Sequence, residues 1–418
     1  MIYLRTQYRA TKNFNKHSII DLIRFSPGGI SRAEISRQLQ LPRTTVTGII
    51  RELKASGIVH EIEAAAQSGN KPVRVEINPS YAYVVGIDLG ATHGTYILAD
   101  ASARVVREME IALDVRSGPV QILDLIDQNL DKLLDIAGVE RSKVMAIGMG
   151  VPGPVVSRDG VVSAPPIMPG WDGYPIRAEL HRRWPCPITI NNDAELGALG
   201  EWAYGVGRGE DNLAYIKVGT GIGAGFLIDG QVYHGVTGGA GEIGHMTIQS
   251  DGPLCSCGNR GCLESIAGGE AIARRTMEYL HQGRKSSLSA IHPLERLGAR
   301  DVFAAASRGD ALAQVVMREM GVHIGTATAN LVNLFNPGIV VIGGGGSQVG
   351  DLLLEPVRQA VGKRSLRISS RSVRITTALL GRRSSAMGAV AKALSSVLHQ
   401  FDQAEAGLRS GGNWLQPE

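Results

Sequence analysis

The stretch Gly241–Glu264, GEIGHMTIQSDGPLCSCGNRGCLE, holds three of the chain's four cysteines. Cys255, Cys257 and Cys262 fall within eight residues, and His245 stands ten positions before the first of them. Three thiolates and an imidazole are a complete tetrahedral donor set for structural zinc. Gly252, Gly258 and Gly261 allow the tight turns that bring the sulfurs together. Glu242 and Glu264 sit at the two ends, so a metal clip would pin both carboxylates beside a common pocket. A disulfide plus a spare thiol is the plainer alternative. Cysteines this sparse, in a chain whose first residues show no secretory pattern, argue against it.

Upstream of this stretch, Tyr215–Ile228 reads as strand, Gly219-Thr220-Gly221 turn, strand. The same arrangement occurs about 130 residues earlier, where Tyr83–Ile87 runs into Asp88-Leu89-Gly90-Ala91-Thr92 and a second strand returns. Backbone N–H groups of such turns can cradle phosphate oxygens, and Asp88 can hold a magnesium-bound water. The hairpins resemble the phosphate hairpins of the actin/hexokinase/heat-shock ATPase superfold. A duplicated hairpin implies two similar lobes facing a cleft. A third glycine turn, Gly343 to Gly346, follows the apolar run Ile339–Ile342 and lets a flat base or ribose approach the backbone. Each turn alone also reads as ordinary α/β packing; together they read as an ATP-type cleft. Between the hairpins, the strand ending at Asn191–Asn192 gives way to a helix at Asp193. A carboxylate there can take the proton of an attacking sugar hydroxyl. Simple N-capping by Asn192 or Asp193 explains the same residues equally well.

The pattern His-x9-Cys-x-Cys-Gly-x-x-Gly-Cys-x-Glu resembles the signature of the ROK family of repressors and sugar kinases, and the resemblance extends over roughly residues 82–395. It implies that Asn192 and Asp193 bind the sugar, with Asp193 as catalytic base. It adds Glu242, His245 and Glu264 as sugar-binding positions, with His245 also a zinc ligand alongside Cys255, Cys257 and Cys262. Asp88, Gly90, Thr92, Gly219, Thr220, Gly221, Gly343 and Gly344 become the ATP-binding set. Gly150-Val151-Pro152-Gly153-Pro154 matches a loop flanking the sugar pocket. One position departs from the kinase pattern: a lysine usually follows the phosphate-loop threonine, and here it is His93.

Residues 1–80 carry twelve Lys/Arg against six Asp/Glu, whereas the remaining 338 carry 31 against 33. A basic module on a near-neutral body points to a polyanion partner. Residues 16–25 show the apolar spacing of a short helix, Ser31 and Glu34 form a capping box, and Pro42 is expected at the first position of a third helix running through Lys54. Val46, Ile49, Ile50 and Leu53 mark that helix's buried side. Its other side shows Thr44, Thr47, Gly48 and Arg51, with Arg43 and Thr45 near the start, a surface able to meet phosphates and base edges. Strands at 58–62 and 72–77 add a wing with Lys71 at its tip. A three-helix protein-interaction module is the alternative to DNA binding. The segment is also similar to the winged helix of the repressor branch of the ROK family, whose third helix reads operator DNA.

The expected architecture is therefore α/β: a winged helix-turn-helix over 1–80, a two-lobed actin/hexokinase-like body over 81–400, and a Gly-rich tail over 401–418. No apolar run is long enough for a membrane span, and the polar, basic start lacks a signal peptide's apolar segment, so a cytoplasmic protein is expected. The expected function is a regulator of carbohydrate genes that senses a sugar or sugar phosphate, binds operator DNA as a homodimer or tetramer, and holds structural zinc. The alternative is an ATP- and magnesium-dependent hexose or N-acetylhexosamine kinase with an accessory N-terminal module.

Overall fold

The computed structural model describes residues 12–63, 73–163, 165 and 167–399. Three helices, α1 (Lys12–Arg24), α2 (Arg32–Leu39) and α3 (Arg43–Ala55), lead into an antiparallel ribbon of β1 (Val59–Glu63) and β2 (Val73–Ile77). The capping box forms: Ser31 Oγ accepts from the Glu34 N–H, and Glu34 Oε2 accepts from the Ser31 N–H at 2.9 Å. Pro42 is the N-cap of α3, not its first helical residue, because its ψ of 140° is extended. The end of α3 is set by Gly57 at φ +76°. Gly57 N–H donates to Lys54 and Ile58 N–H to Leu53, the pairing that satisfies the last carbonyls of a helix. Val46, Ile49, Ile50 and Leu53 are buried against Ile19, Ile20, Ile35 and Val75. This is a winged helix, and its tip, with Lys71, lies outside the described residues.

The body repeats one plan twice. The first sheet is built from β3 (Tyr83–Leu89), β4 (His93–Asp100) and β5 (Val105–Ala112). After α4 (Pro119–Ala137) it adds β6 (Val144–Val151). The short strands β7 (Val155–Val156) and β8 (Val161–Val162) and helix α5 (Ile176–Arg183) precede its last strand, β9 (Ile188–Asn192). Helix α6 (Asp193–Tyr204) crosses to β10 (Leu213–Val218), β11 (Ile222–Ile228) and β12 (Gln231–Val232). Then come α7 (Leu263–Ala267), α8 (Gly269–His281), α9 (Ala299–Ser307), α10 (Ala311–Phe335) and β13 (Ile339–Gly343). The chain closes with α11 (Asp351–Arg364), α12 (Arg367–Ser372), β14 (Arg374–Thr377) and α13 (Ser384–Leu398). Strand orders are β5-β4-β3-β6-β9 and β12-β11-β10-β13-β14, so each sheet has an antiparallel meander on one side and parallel strands on the other.

Glycines govern how helices reach these sheets. Gly86 and Gly148 are register partners on β3 and β6. A Cβ on either would lie 2.2 Å from a carbonyl of α13, Ala386 or Ala389. Helix α13 therefore packs on the first sheet. Helix α10 runs unbroken through Gly321 and Gly325. Those glycines serve close approach: a Cβ would meet Leu353 O at 2.9 Å and Ala360 Cβ at 2.7 Å on α11.

The winged helix joins the body through Arg24. Its guanidinium donates to Tyr204 OH and Ala391 O, both at 2.8 Å, and to Ser395 Oγ at 2.9 Å. His399 pairs with Asp21 at 3.0 Å, and Phe25 meets Trp202 edge-on. The cores of the two modules are continuous along α13. Among the described residues no helix is long and apolar enough to cross a membrane.

Candidate functional site

The Cys/His stretch folds into a knot. Gly258 at φ +90° and Gly261 at φ +66° turn the backbone. Backbone bonds from Cys255 N–H to Asn259 O and from Gly261 N–H to Pro253 O close the loops. All four cysteines are free, so the disulfide alternative is not what the chain forms. Donor atoms of His245, Cys255, Cys257 and Cys262 all lie within 4.8 Å of one another. Cys255 Sγ is 3.6 Å from His245 Nδ1, and Cys257 Sγ is 3.7 Å from Cys262 Sγ. Metal–sulfur bonds of about 2.3 Å in a tetrahedron require edges of roughly 3.8 Å. The residues fit a tetrahedral metal.

The knot carries two acids toward the cleft. Glu264, the second residue of α7, accepts the Ile222 N–H at 2.9 Å and so braces the start of β11. His245 presents Nδ1 to the sulfurs, while its Nε2 lies 4.0 Å from Glu242 Oε2. Burial first, then the nearby charges of Asp193, Glu264 and Glu195, push the Glu242 carboxyl up to about 7. Four carboxylates therefore converge on one region, and one of them, Glu195, was not singled out in the sequence. Glu195 is buried and takes a hydrogen bond from His234 Nδ1 at 2.9 Å.

Asn192 caps α6: its Oδ1 accepts from the Ala194 and Glu195 N–H groups at 2.8 and 3.1 Å. Its Nδ2 donates to Gly153 O at 3.0 Å, tying the cap to the 150–154 loop. Capping thus occupies the oxygen and leaves one amide N–H for a ligand. Asp193 starts the same helix.

Asp88, next to last in β3, is 2 % exposed, and both its oxygens meet Lys217 Nζ at 3.1 and 3.2 Å. The same ammonium reaches Asp193 Oδ2 at 2.9 Å. Burial lifts the Asp88 carboxyl to about 6 against the pull of Lys217. Burial would lower the lysine, but Asp193 and Asp88 outweigh it and hold its proton firmly. Lys217 was missed in the sequence. Its one signal was a charge inside the buried run Tyr215-Ile216-Lys217-Val218.

The expected nucleotide turns are placed as follows. Gly90 N–H closes the first hairpin on His93 O at 2.8 Å, and Thr92 is exposed. In the second hairpin, Gly219 N–H donates to Gly221 O, and exposed Thr220 receives the Gly269 N–H at 2.9 Å. Gly343 and Gly344 have an internal reason to be glycine. A Cβ there would strike the Tyr215 hydroxyl at 2.1 Å or Val218 O at 2.5 Å. A surface hollow of about 440 Å³ lies against Arg274, Glu319 and His323, and one of about 250 Å³ lies against Glu242, Phe226, Tyr233 and Phe335. Arg300 of α9 pairs with Glu110 of β5 at 3.4 Å, and Arg383 with Glu108 of the same strand at 3.3 Å.

On α3, Arg43, Thr44, Thr47 and Arg51 are exposed and Thr45 half-buried. A Cβ at Gly48 would meet nothing within 4 Å, so this face is open.

Twin sheets with paired turns, a Cys/His knot feeding acids into their cleft, and an open-faced winged helix define a sugar-kinase-like body with a helix-turn-helix module. The ROK family model matches residues 84–395, and the chain belongs to the ROK family. A xylose repressor of Caldicellulosiruptor bescii is 31% identical over 370 residues, covering 88% of this chain and 92% of its own. A crystal structure of a ROK family transcriptional regulator, a homolog of the E. coli MLC protein, superposes with TM-score 0.78 at 27% identity, covering 94% of this chain and 99% of that one. A ROK family glucokinase from Streptomyces griseus in complex with glucose and AMPPNP superposes with TM-score 0.67 at 28% identity, covering 75% and 99%.

Proposed function

We propose that this chain is a transcriptional regulator of carbohydrate genes with two working parts: a winged helix that binds operator DNA and a kinase-like body that senses a sugar or sugar phosphate. The carrying observation is the open Arg43/Thr44/Thr47/Arg51 face of α3, joined through Arg24 to the body. Short hydroxyls and arginines suit phosphates and base edges, and α3 is the second helix of the helix-turn-helix. The similarity to the xylose repressor spans 88% of this chain, body and N-terminal module together.

In the cleft, Asp193, Glu242 and Glu264 accept hydroxyl hydrogen bonds, His245 Nε2 faces the same region, and zinc in the Cys/His knot holds the last three in place. Zinc is favoured over other metals by the three soft thiolates and one imidazole. A sugar that rearranges these acids shifts α6 and α13, which meet at Gly200 and Gly388, and α13 carries the Arg24 contacts. Operator sites for such modules come in pairs, so the acting species is a homodimer or tetramer, and its DNA partner places it in the cytoplasm.

The test is DNA binding by the full chain to duplexes selected from genomic fragments. Affinity should fall linearly on a logarithmic salt scale. Arg51→Ala should weaken it while leaving the thermal shift with sugars intact. Salt-independent or absent DNA binding would overturn the reading. The second reading, an ATP-dependent sugar kinase, draws on the retained Asp88, Asp193 and Gly219-Thr220-Gly221 turn. ATP consumption with a hexose panel, abolished by Asp193→Ala, would support it.

A further inference from the structure

The motif residues of a phosphoryl-transfer centre are present, yet one side chain stands among them that such a centre does not need. Lys217 leaves β10 on the second sheet and crosses to the first. Its Nζ lies 3.1 and 3.2 Å from the two oxygens of Asp88, 2.9 Å from Asp193 Oδ2 and 3.4 Å from Ser385 Oγ. Asp88 comes from β3, Asp193 from the first turn of α6 and Ser385 from the first turn of α13. An ammonium has three donors, and three side chains from three elements take them. The group is enclosed: the Asp193 and Lys217 side chains are 15% and 16% exposed.

We propose that Lys217 is a built-in cation standing where a divalent ion would sit, so that this cleft takes a sugar without a magnesium nucleotide. Magnesium demands oxygen ligands at about 2.0–2.1 Å in near-octahedral array. Both Asp88 oxygens already face an ammonium, and the charge that magnesium would neutralise is already neutralised. Admitting the metal would set a divalent cation against a buried ammonium or force Lys217 away from both its carboxylates, which strands a buried charge. Asp193 is affected in the same way. An oxygen held by an ammonium is a poor proton acceptor for catalysis, although the carboxylate still accepts a hydroxyl hydrogen bond for binding.

His93 adds an independent obstruction in the first turn. Its ring folds across Gly90, so that a Cβ on that glycine would lie 2.7 Å from Cε1. Burial first, then the charges of Lys217, Arg300 and Arg382, depress the imidazole to about 3, and it stays neutral. A neutral ring fills the turn where the kinase pattern has a lysine.

This inference rests on the sensor reading only for what occupies the cleft. The assay below reads metal and not DNA, so the two can fail separately. Mn²⁺ is titrated into zinc-loaded full-length protein, with and without AMPPNP, and followed by electron paramagnetic resonance. Wild type, Asp88→Asn, Lys217→Thr and Lys217→Gln are compared, each checked for folding by circular dichroism. Wild type and Asp88→Asn should bind Mn²⁺ equally weakly. The Lys217 variants should bind Mn²⁺ with AMPPNP at least roughly tenfold more tightly, and adding Asp88→Asn should remove the gain. Wild-type Mn²⁺ binding that disappears in Asp88→Asn overturns the proposal. So do folded Lys217 variants that gain nothing, since the lysine is then a structural tie only. If neither Lys217 variant folds, wild type against Asp88→Asn decides: equal affinity supports the proposal, and affinity lost with Asp88 overturns it.

Discussion

The two hairpins at the centre of the body are topological twins with different chemistry. The β3–β4 turn holds a carboxylate, Asp88, and a neutral ring, His93, packed over Gly90. The β10–β11 hairpin holds a cation, Lys217 on β10, and is braced from outside by Glu264 of the Cys/His knot. The two share one backbone plan, and the second is a partner for the first: Lys217 reaches across to Asp88. Two turns that look like equal phosphate loops in the sequence have become the two ends of one ion pair.

The harshest way to break this comparison is to remove the external brace. Cys262→Ser should cost the protein its metal equivalent and several kcal/mol, because metal binding free energy is folding free energy at such sites. Hydrogen exchange should then quicken at Ile222 and its neighbours on β11 and leave β3 and β4 largely as they were. Equal loosening of both hairpins would mean that the brace is not specific to the second.

Next in size is Lys217→Met, which leaves Asp88 and Asp193 facing each other without a counter-ion. Breaking a buried pair in this way costs about 3–5 kcal/mol. Urea unfolding measures it, and a loss below ~1 kcal/mol would show that the pair is not held together as the distances suggest.

A glycine pair sharpens the contrast at the turns. Gly90→Ala drives a methyl into the His93 ring and should destabilise by about 1–3 kcal/mol. At Gly219 the nearest atom to a new Cβ is Gly221 O at 3.9 Å, and φ is not in the left-handed region. Gly219→Ala should therefore stay within about 0.5 kcal/mol of wild type in the same thermal melt.

The smallest effect is a pH response of opposite sign in the two modules. The Asp88 carboxyl is raised from 3.8 to about 6 in the fold, so the folded state binds more protons than the unfolded chain in that interval. Its stabilising contribution is greatest at low pH and declines as pH rises from 3.8 to about 6. In the winged helix, hydrogen bonds from Ser31 hold Glu34 below 4.5, and the bond from Lys54 does the same for Glu61. Those contributions are present above 4.5 and disappear as pH falls below it. Acidification from neutral pH should thus weaken α2 amide protection before that of β3. Hydrogen exchange at stepped pH reads both, and protection lost first on β3 would contradict the assignment.

Much of this architecture could be read from residue order alone. The α3 face is legible because helical periodicity sorts Val46, Ile49, Ile50 and Leu53 from Thr44, Thr47 and Arg51 without any partner. Ser31 and Glu34 are legible for the same reason, since a cap is a local bond. The knot could be read from spacing because metal ligands need a donor type and a reach, and both are written in His245 to Cys262. Lys217 was not legible in this way. Its partners lie 129 and 24 residues away in sequence, and no local pattern distinguishes a paired lysine in a strand from a misplaced one. The role of Gly321 and Gly325 was illegible for a related reason: only α11 lying against them shows that they are contact points.

Local chemistry therefore specified the winged helix, the Cys/His knot and the twin turns, because periodicity, capping and ligand spacing act over a few residues. Which turn faces which, and with what charge between them, came from folding the two sheets together. Electrostatics across a buried cleft depends on distances that residue order does not contain, and a single ammonium placed 3 Å from two carboxylates changes what the same motif can hold.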